Sequence, residues 1–438
     1  MYVLEYKVKP VASQIQAIEE AIRTTQFVRN KVLRFWMDNR GVGKTEMFRH
    51  NTFLRAEYSF VKELNSHACQ TAVERVLRAV NRFFDAAQQS LSAQRRECDL
   101  AHKRRRRSSS STTSVQGSVR KKNVPGKKGY PRFKHNTRSV EYKTSGWKLH
   151  EDRKRITFTD KKNIGTLKLI GSRDIYFYQP EQIKRVRIVR RADGYYVQFS
   201  IKIDPRDTVE PIPPSQSCVG IDVGLKYFYA DSQGSIIENP RFYLHSEKQL
   251  NYANRLKSRK FVFAQAQSNN YLKAKTRYAK KHLKVSRQRE EFAKRIALRL
   301  IQSNDLIVCE DLNIKGLVKN RRLSKSISDV AWFKFRRWLE YFGDKYGKLV
   351  VAVPAHYTSV RCSSCGNQVK KTLSTRTHVC SCGYTADRDT NAAINVLQLG
   401  LSRVGRTLTN AWGDSSSSLV GAILPGYDGS LNQESPSF

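Results

Sequence analysis

Apolar residues recur along this chain in different rhythms, and the changes of rhythm divide it. The opening MYVLEYKVKP alternates apolar and polar positions, the period of a half-buried strand. From residue 13 the period lengthens. Ile15, Ile18, Ile22, Val28, Val32 and Phe35 follow helical spacing, with Ser13 and Gln16 set as a capping box. Val73, Val76, Leu77, Val80 and Phe84 predict another helix, so residues 14–100 read as a small helical domain whose stripes are core packing. After Tyr130 alternation returns. RITFT, TLKLIG, IYFY, KRVRIVRR and YYVQFSIKI predict strands, the last two joined across Ala192-Asp193-Gly194, because Asp-Gly between alternating runs marks a tight hairpin. Residues 130–205 read as a β-barrel or sandwich, ended by Pro205 and the PIPP of 211–214.

From Ser217 the pattern is mixed. CVGID is a short apolar strand ending in Asp222, followed by a strand YFYA and a turn at DSQG. Residues 247–303 predict two antiparallel, very basic helices broken near Ser268-Asn269-Asn270. A buried strand LIVCE ends in Glu310, a helix spans about Asp329 to Tyr346, and LVVAV from Leu349 is another strand. Four cysteines follow, then a helix that opens at Asp389. The tail from Trp412 is polar and reads as disordered.

Charge changes the picture most. The 438 residues suffice for two or three domains, and 80 Lys+Arg against 38 Asp+Glu give a formal charge of +42. Such an excess opposes compaction unless a polyanion accompanies the fold. A membrane is the poorer partner, since no stretch of about 18 apolar residues is present and the N-terminus lacks the apolar segment of a signal peptide. The run from Lys103 to Gly129 is serine-rich and basic, so it reads as flexible when alone and as a phosphate-binding tether. Tyr195, Tyr196, Phe133 and Trp147 are candidates for stacking on bases, although each alone is more simply a core residue.

Two kinds of metal chemistry then meet near the C-terminus. Asp222 and Glu310 close short apolar strands, and in an open α/β sheet such ends gather on one rim. Asp389 opens a helix able to pack on that sheet. Three carboxylates there would repel one another unless divalent cations neutralised them. Two Mg2+ or Mn2+ ions about 3.5–4 Å apart are the established solution for phosphodiester hydrolysis. Singly, each acid has a plainer reading: a turn for Asp222, a solvated strand end for Glu310, an N-cap for Asp389. Cysteines supply the second metal. Cys69, Cys98, Cys218 and Cys309 are scattered, which fits a reduced compartment, but Cys362 and Cys365 have knuckle spacing. Cys380 and Cys382 form a second half one residue shorter, Gly366 and Gly383 follow at turn positions, and His378 is a possible substitute ligand. One structural Zn2+ on the four thiolates is expected.

GIDVG at 220–224, EDLNIKGL at 310–317 and DRDTNAAINVL at 387–397, after cysteine pairs, resemble the RuvC-like nuclease of the TnpB family. These are transposon-encoded relatives of the type V CRISPR effectors that cut DNA guided by an RNA. YPRFK at 130–134, the long basic helices and YTSVRCSSCG at 357–366 extend the likeness over nearly the whole chain. The resemblance implies a nuclease triad of Asp222, Glu310 and Asp389. Within DRD, Asp389 is preferred because it stands two residues before Asn391, and Asp387 is the second choice. It also implies a multidomain α+β fold. Residues 1–12 and 130–210 would form a wedge-like β-barrel, with a helical recognition domain at 13–102 and a basic flexible linker at 103–129. An RNase H-like (RuvC) α/β nuclease would occupy 216–358 and 385–412, with a zinc-ribbon-like insertion at 359–384 and a disordered tail at 413–438. The implied function is an RNA-guided DNA endonuclease acting in the prokaryotic cytoplasm, at the nucleoid. One chain would hold a guide RNA from the transposon end and cut double-stranded DNA beside a short motif. Guided binding without cleavage and a DNA-joining transposase are the alternatives, and the presence of all three carboxylates favours the nuclease.

Overall fold

The computed structural model describes residues 2–107, 129–171, 175–372 and 375–409. The chain forms two compact units, Met1–Ile203 and Asp204–Phe438.

In the first unit, β1 (Tyr2–Val8) is followed by α1 (Ala12–Asp38), α2 (Lys44–Glu57), α3 (Ser59–Glu63) and α4 (Ser66–Arg107). The strands β2 (Ser139–Tyr142), β3 (Trp147–Leu149), β4 (Arg155–Phe158), β5 (Gly165–Ile170), β6 (Ile183–Arg191) and β7 (Gly194–Ile201) complete it. They pair with β1 in one seven-stranded sheet, ordered β2-β6-β7-β1-β5-β4-β3. Its edges, β2 and β3, share no ladder among the described residues, so by hydrogen bonding it is an open sheet and not the closed barrel expected. One core joins sheet and helices, with Leu4, Ile18, Val32, Val73, Phe199 and Ile201 buried together. Within it Glu141, 1% exposed, accepts from Arg75 at 3.1 Å, Arg185 at 2.7 Å and Arg187 at 2.6 Å. Burial alone would raise its pKa, but the Arg185 hydrogen bond and the charges of Arg187 and Arg75 pull it down to about 2.

Local details depart from the sequence reading for identifiable reasons. Ser13 is not the cap of α1. The helix starts at Ala12, and the side chain of Gln14 accepts from the Val11 N–H at 3.1 Å while donating to Ile164 and Thr166 carbonyls of the sheet. IYFY forms no strand, because the Arg153 guanidinium gathers the carbonyls of Ile175, Tyr176 and Tyr178 that a ladder would have used. Lys103–Arg107, assigned to the linker, continues α4 as helix, whereas 108–128 lie outside the described residues.

The second unit holds β8 (Cys218–Asp222), β9 (Tyr227–Asp231), β10 (Ile236–Glu238), α5 (Phe242–Arg259), α6 (Asn269–Ser303) and β11 (Leu306–Glu310). Beyond them come α7 (Ile314–Leu317), α8 (Ser324–Val330), α9 (Trp332–Tyr346), β12 (Leu349–Val353), β13 (Thr377–Val379), β14 (Thr385–Asp387) and α10 (Arg388–Thr409). The expected single helix from Asp329 is split at Ala331, whose φ of 60° is left-handed. Five strands make one sheet in the order β10-β9-β8-β11-β12. β8, β11 and β12 run parallel, while β9 and β10 return antiparallel.

LIVCE is apolar throughout because both faces of its strand are covered. Ile307 and Cys309 pack with Ala297 of α6 and Phe335 of α9, whereas Leu306 and Val308 pack with Val396 and Val404 of α10. Helix α10 lies very close to the sheet. A Cβ on Gly220 of β8 would stand 2.2 Å from the Ala393 carbonyl oxygen, and one on Gly400 would stand 2.3 Å from Val308. Only glycine fits at either position.

Candidate active site

Strand register places the first two acids. Cys309 lies opposite Ile221 in the parallel pair β8/β11, so Asp222 and Glu310 end neighbouring central strands side by side. The third comes from α10, held on the same strands by its close approach at Gly220. The two aspartates of DRD have different jobs here. Asp387 Oδ1 accepts from the backbone N–H groups of Asp389 at 2.8 Å and Thr390 at 3.4 Å, which makes it the N-cap of α10. The Asp389 charge acts on Asp222, and its Oδ2 lies 3.8 Å from Arg376.

The electrostatics show the strain of this arrangement. Enough protein surrounds Asp222 that burial pushes its carboxyl well above the usual range, and the charges of Glu310 and Asp389 push it further, against a smaller pull from Arg388. Burial raises Glu310 as well. A hydrogen bond from Thr358 Oγ1, 2.7 Å from Glu310 Oε1, opposes that shift. Anions crowded in this way are what divalent cations bind.

The thiols meet the requirements of a zinc site more tightly. Sγ of Cys362, Cys365, Cys380 and Cys382 all lie within 4.8 Å of one another, and among the described residues no other set of three or more such ligand groups closes this far. The Cys362–Cys382 and Cys365–Cys380 separations are 3.8 and 3.5 Å. A tetrahedral ion with Zn–S bonds of about 2.3 Å needs edges of about 3.8 Å. The short CSC half costs nothing in convergence. Gly383 donates to the Cys380 carbonyl three residues back, where Gly366 donates to Cys362 four back, and both glycines adopt positive φ. His378 stands outside the cluster. It is fully buried on β13 and bonds through Nδ1 with the Lys371 ammonium.

Sequence reasoning missed the polar clamp that joins cluster and carboxylates. Asn391, 0% exposed on α10, accepts from the Ser363 N–H at 3.0 Å and donates to the Arg361 carbonyl at 2.8 Å. Asn395 donates to the carbonyls of Thr358 at 2.8 Å and Arg361 at 2.7 Å. The cysteine loop is thereby fastened to the helix that carries Asp389, and Thr358 in that loop holds Glu310. Two asparagines at i, i+4 on an otherwise apolar helix face were the available signal. The aromatics proposed for stacking are occupied inside the first unit. Tyr195 donates to Glu19 at 2.6 Å, Tyr196 to Asp193 at 2.8 Å and Trp147 to the Lys143 carbonyl at 2.6 Å, while Phe133 lies under Arg34.

Two family models match this chain. One described as "Probable transposase" covers residues 198–321, and one described as "Cas12f1-like, TNB domain" covers 332–396. A Streptomyces pristinaespiralis protein named "Putative RNA-guided DNA endonuclease" is 36% identical over 198 residues, 45% of this chain and 48% of its own length. The Escherichia coli K12 protein "Putative RNA-guided DNA endonuclease InsQ" is 29% identical over 62% of this chain and 68% of its own. "TnpB-like protein L79" of Acanthamoeba polyphaga mimivirus is 28% identical over 47% of this chain and 41% of its own. The chain thus spans about half the length of the first of these relatives. The two family-model segments contain Asp222, Glu310, Asp389 and all four clustered cysteines, and the relatives named here are RNA-guided DNA endonucleases or TnpB-like proteins to which this chain is similar.

Proposed function

We propose that this protein is an RNA-guided DNA endonuclease of transposon origin whose second unit is an RNase H-like (RuvC) nuclease. The observation that carries the reading is the placement of Asp222 and Glu310 on adjacent parallel strand ends with Asp389 set against them, a cluster whose own charges oppose its ionisation. Asp222, Glu310 and Asp389 would hold two Mg2+ or Mn2+ ions, which supply an activated water and stabilise the leaving oxygen of a phosphodiester. The protein's part is to fix those ligands. Gly220 and Gly400 admit α10, Asp387 sets its first turn, and Thr358 orients Glu310. Zn2+ on the four thiolates would act as a rivet in a zinc-ribbon-like insertion and take no part in the chemistry.

The guided part of the reading rests on the names of the relatives and on charge. A short duplex needs roughly six to ten phosphate contacts for strong binding. The formal +42 is several times that and suits a structured guide RNA together with a guide–target hybrid, a complex formed in the cytoplasm at the nucleoid. The test is cleavage of a plasmid carrying a guide-matched site beside a randomised flank, with and without the RNA that co-purifies with the protein. Cutting is expected only with RNA and only at the matched site. Efficient cutting by RNA-free protein regardless of match would refute guidance and leave a structure-specific nuclease.

A further inference from the structure

The first unit has a cavity of about 650 Å³ lined by Arg29, Arg75, Arg78, Arg82, Lys134 and Asp85, among others. Five cations face a single carboxylate. Arg75 is neutralised by Glu141 at 3.1 Å, which leaves four. Arg78 and Arg82 are exposed on α4, in step with Arg75 at i+3 and i+7, so the three share one helix face. Arg29 differs from them. It is 7% exposed, and among the described residues its Nη1 has no hydrogen-bond partner. Burial and then the charge of Arg75 both lower its pKa, with no acid acting in the other direction. A desolvated guanidinium without an anion is a costly thing to keep in a folded protein, and Glu141 shows that the same unit can supply a counter-charge where stability alone is at stake.

The wall opposite is held in place. Asn30, next to Arg29 on α1, donates to the Lys134 carbonyl at 2.8 Å and accepts from the Lys134 N–H at 2.9 Å. Gln26, one turn earlier, accepts from the Thr137 N–H at 2.8 Å. A rigid, open, cationic hollow with an unpaired buried arginine is complementary to an anion, and one that offers a planar fork at its base suits the oxygens of a phosphodiester. We propose that this cavity is a phosphate anchor for a bound polynucleotide, with Arg29 at the base and Arg78, Arg82 and Lys134 at the rim. The proposal rests on the nucleic-acid-binding reading above, but it assigns a site that the cleavage chemistry does not use.

The test uses the full chain with Arg29→Met and, separately, Arg82→Gln. Affinities are measured from 50 to 300 mM salt for two probes: the RNA stripped from the wild-type protein and a duplex DNA of random sequence. Either variant should weaken binding by about tenfold or more, the scale of a lost charge-assisted hydrogen bond. The slope of log affinity against log salt should flatten by about 0.7–0.9 for each phosphate contact removed. Loss on RNA alone assigns the anchor to RNA, loss on the duplex alone assigns it to DNA, and either supports the site. A second measurement separates this role from a structural one. Without nucleic acid, Arg29→Met should melt at or above the wild-type temperature, because it removes an uncompensated charge. Unchanged slopes on both probes in both variants would overturn the proposal. If wild-type protein bound the duplex but no RNA, the guided reading would fail, and the DNA arm alone would decide the anchor.

Discussion

Two groups of enclosed carboxylates in this molecule are treated in opposite ways. Glu141 in the first unit is enclosed by three guanidinium groups and held ionised, at about 2. Asp222 and Glu310 in the second unit are given a hydroxyl, the weaker pull of Arg388 and each other, and both are driven toward the protonated form. The first arrangement is complete as it stands. The second leaves its repulsion uncompensated, so the contrast separates an acid that holds the fold from the acids proposed to take cations.

Breaking each member should therefore give opposite signs. Asp222→Asn is expected to reduce cleavage by about 10³-fold or more, the upper range for removing one electrostatic stabiliser, without changing RNA affinity. In metal-free buffer it should melt above wild type, since it relieves repulsion. A lower melting temperature would show that Asp222 serves the fold. Glu141→Gln should do the reverse, destabilising the protein by about 3 kcal/mol because three arginines lose their partner. Acid titration sharpens the point. The folded value near 2 lies below the unfolded value for a glutamate of about 4.3, so the contribution of Glu141 is fully present above about pH 4.5. It fades as pH falls toward 2. The stability gap between wild type and Glu141→Gln, followed by thermal melts, should close over that window and stay constant above it.

Smaller effects probe how the frustrated cluster is held. Thr358→Val removes a side-chain hydrogen bond to Glu310 and should lower activity or Mg2+ affinity by about 10-fold, as outer-shell substitutions at metal sites do, with little change in melting temperature. Asp387→Ala removes a helix cap and should cost about 1 kcal/mol while cleavage persists near wild-type rate. Asp389→Ala should abolish cleavage with stability retained. If the two swapped outcomes in a paired cleavage and melting experiment, the assignment within DRD would be reversed.

How much of this was legible in the sequence follows from how each signal is encoded. Strands β8 and β11 were readable because burial on both faces leaves an unbroken apolar run that stops at an acid. The break between α5 and α6 was visible at its serine and asparagines, where Ser268 caps the second helix at 3.2 Å. IYFY misled because aromatic content suggests a strand, whereas a single arginine from residue 153 removes its backbone partners, and no local pattern reports a contact over such a distance. That Asp387 caps α10 and Asp389 does not was hidden because both are aspartates with a single residue between them. Only backbone geometry tells them apart. Strands β13 and β14 are three residues each, too short for periodicity to register.

The closeness of α10 to the sheet carries a consequence for how such a protein diversifies. The Ala393 carbonyl 2.2 Å from a notional Gly220 Cβ means that even an alanine there must lift the helix, and with it the acid at its start. For the proposed cleavage, the mutational target is thus wider than three acids. It includes a glycine with no chemistry of its own, set in a unit separate from the arginine-lined cavity of the first. A chain that loses the proposed cleavage while its first unit stays intact is therefore a single nucleotide change away, and a census of lineages by their acids alone would undercount such losses.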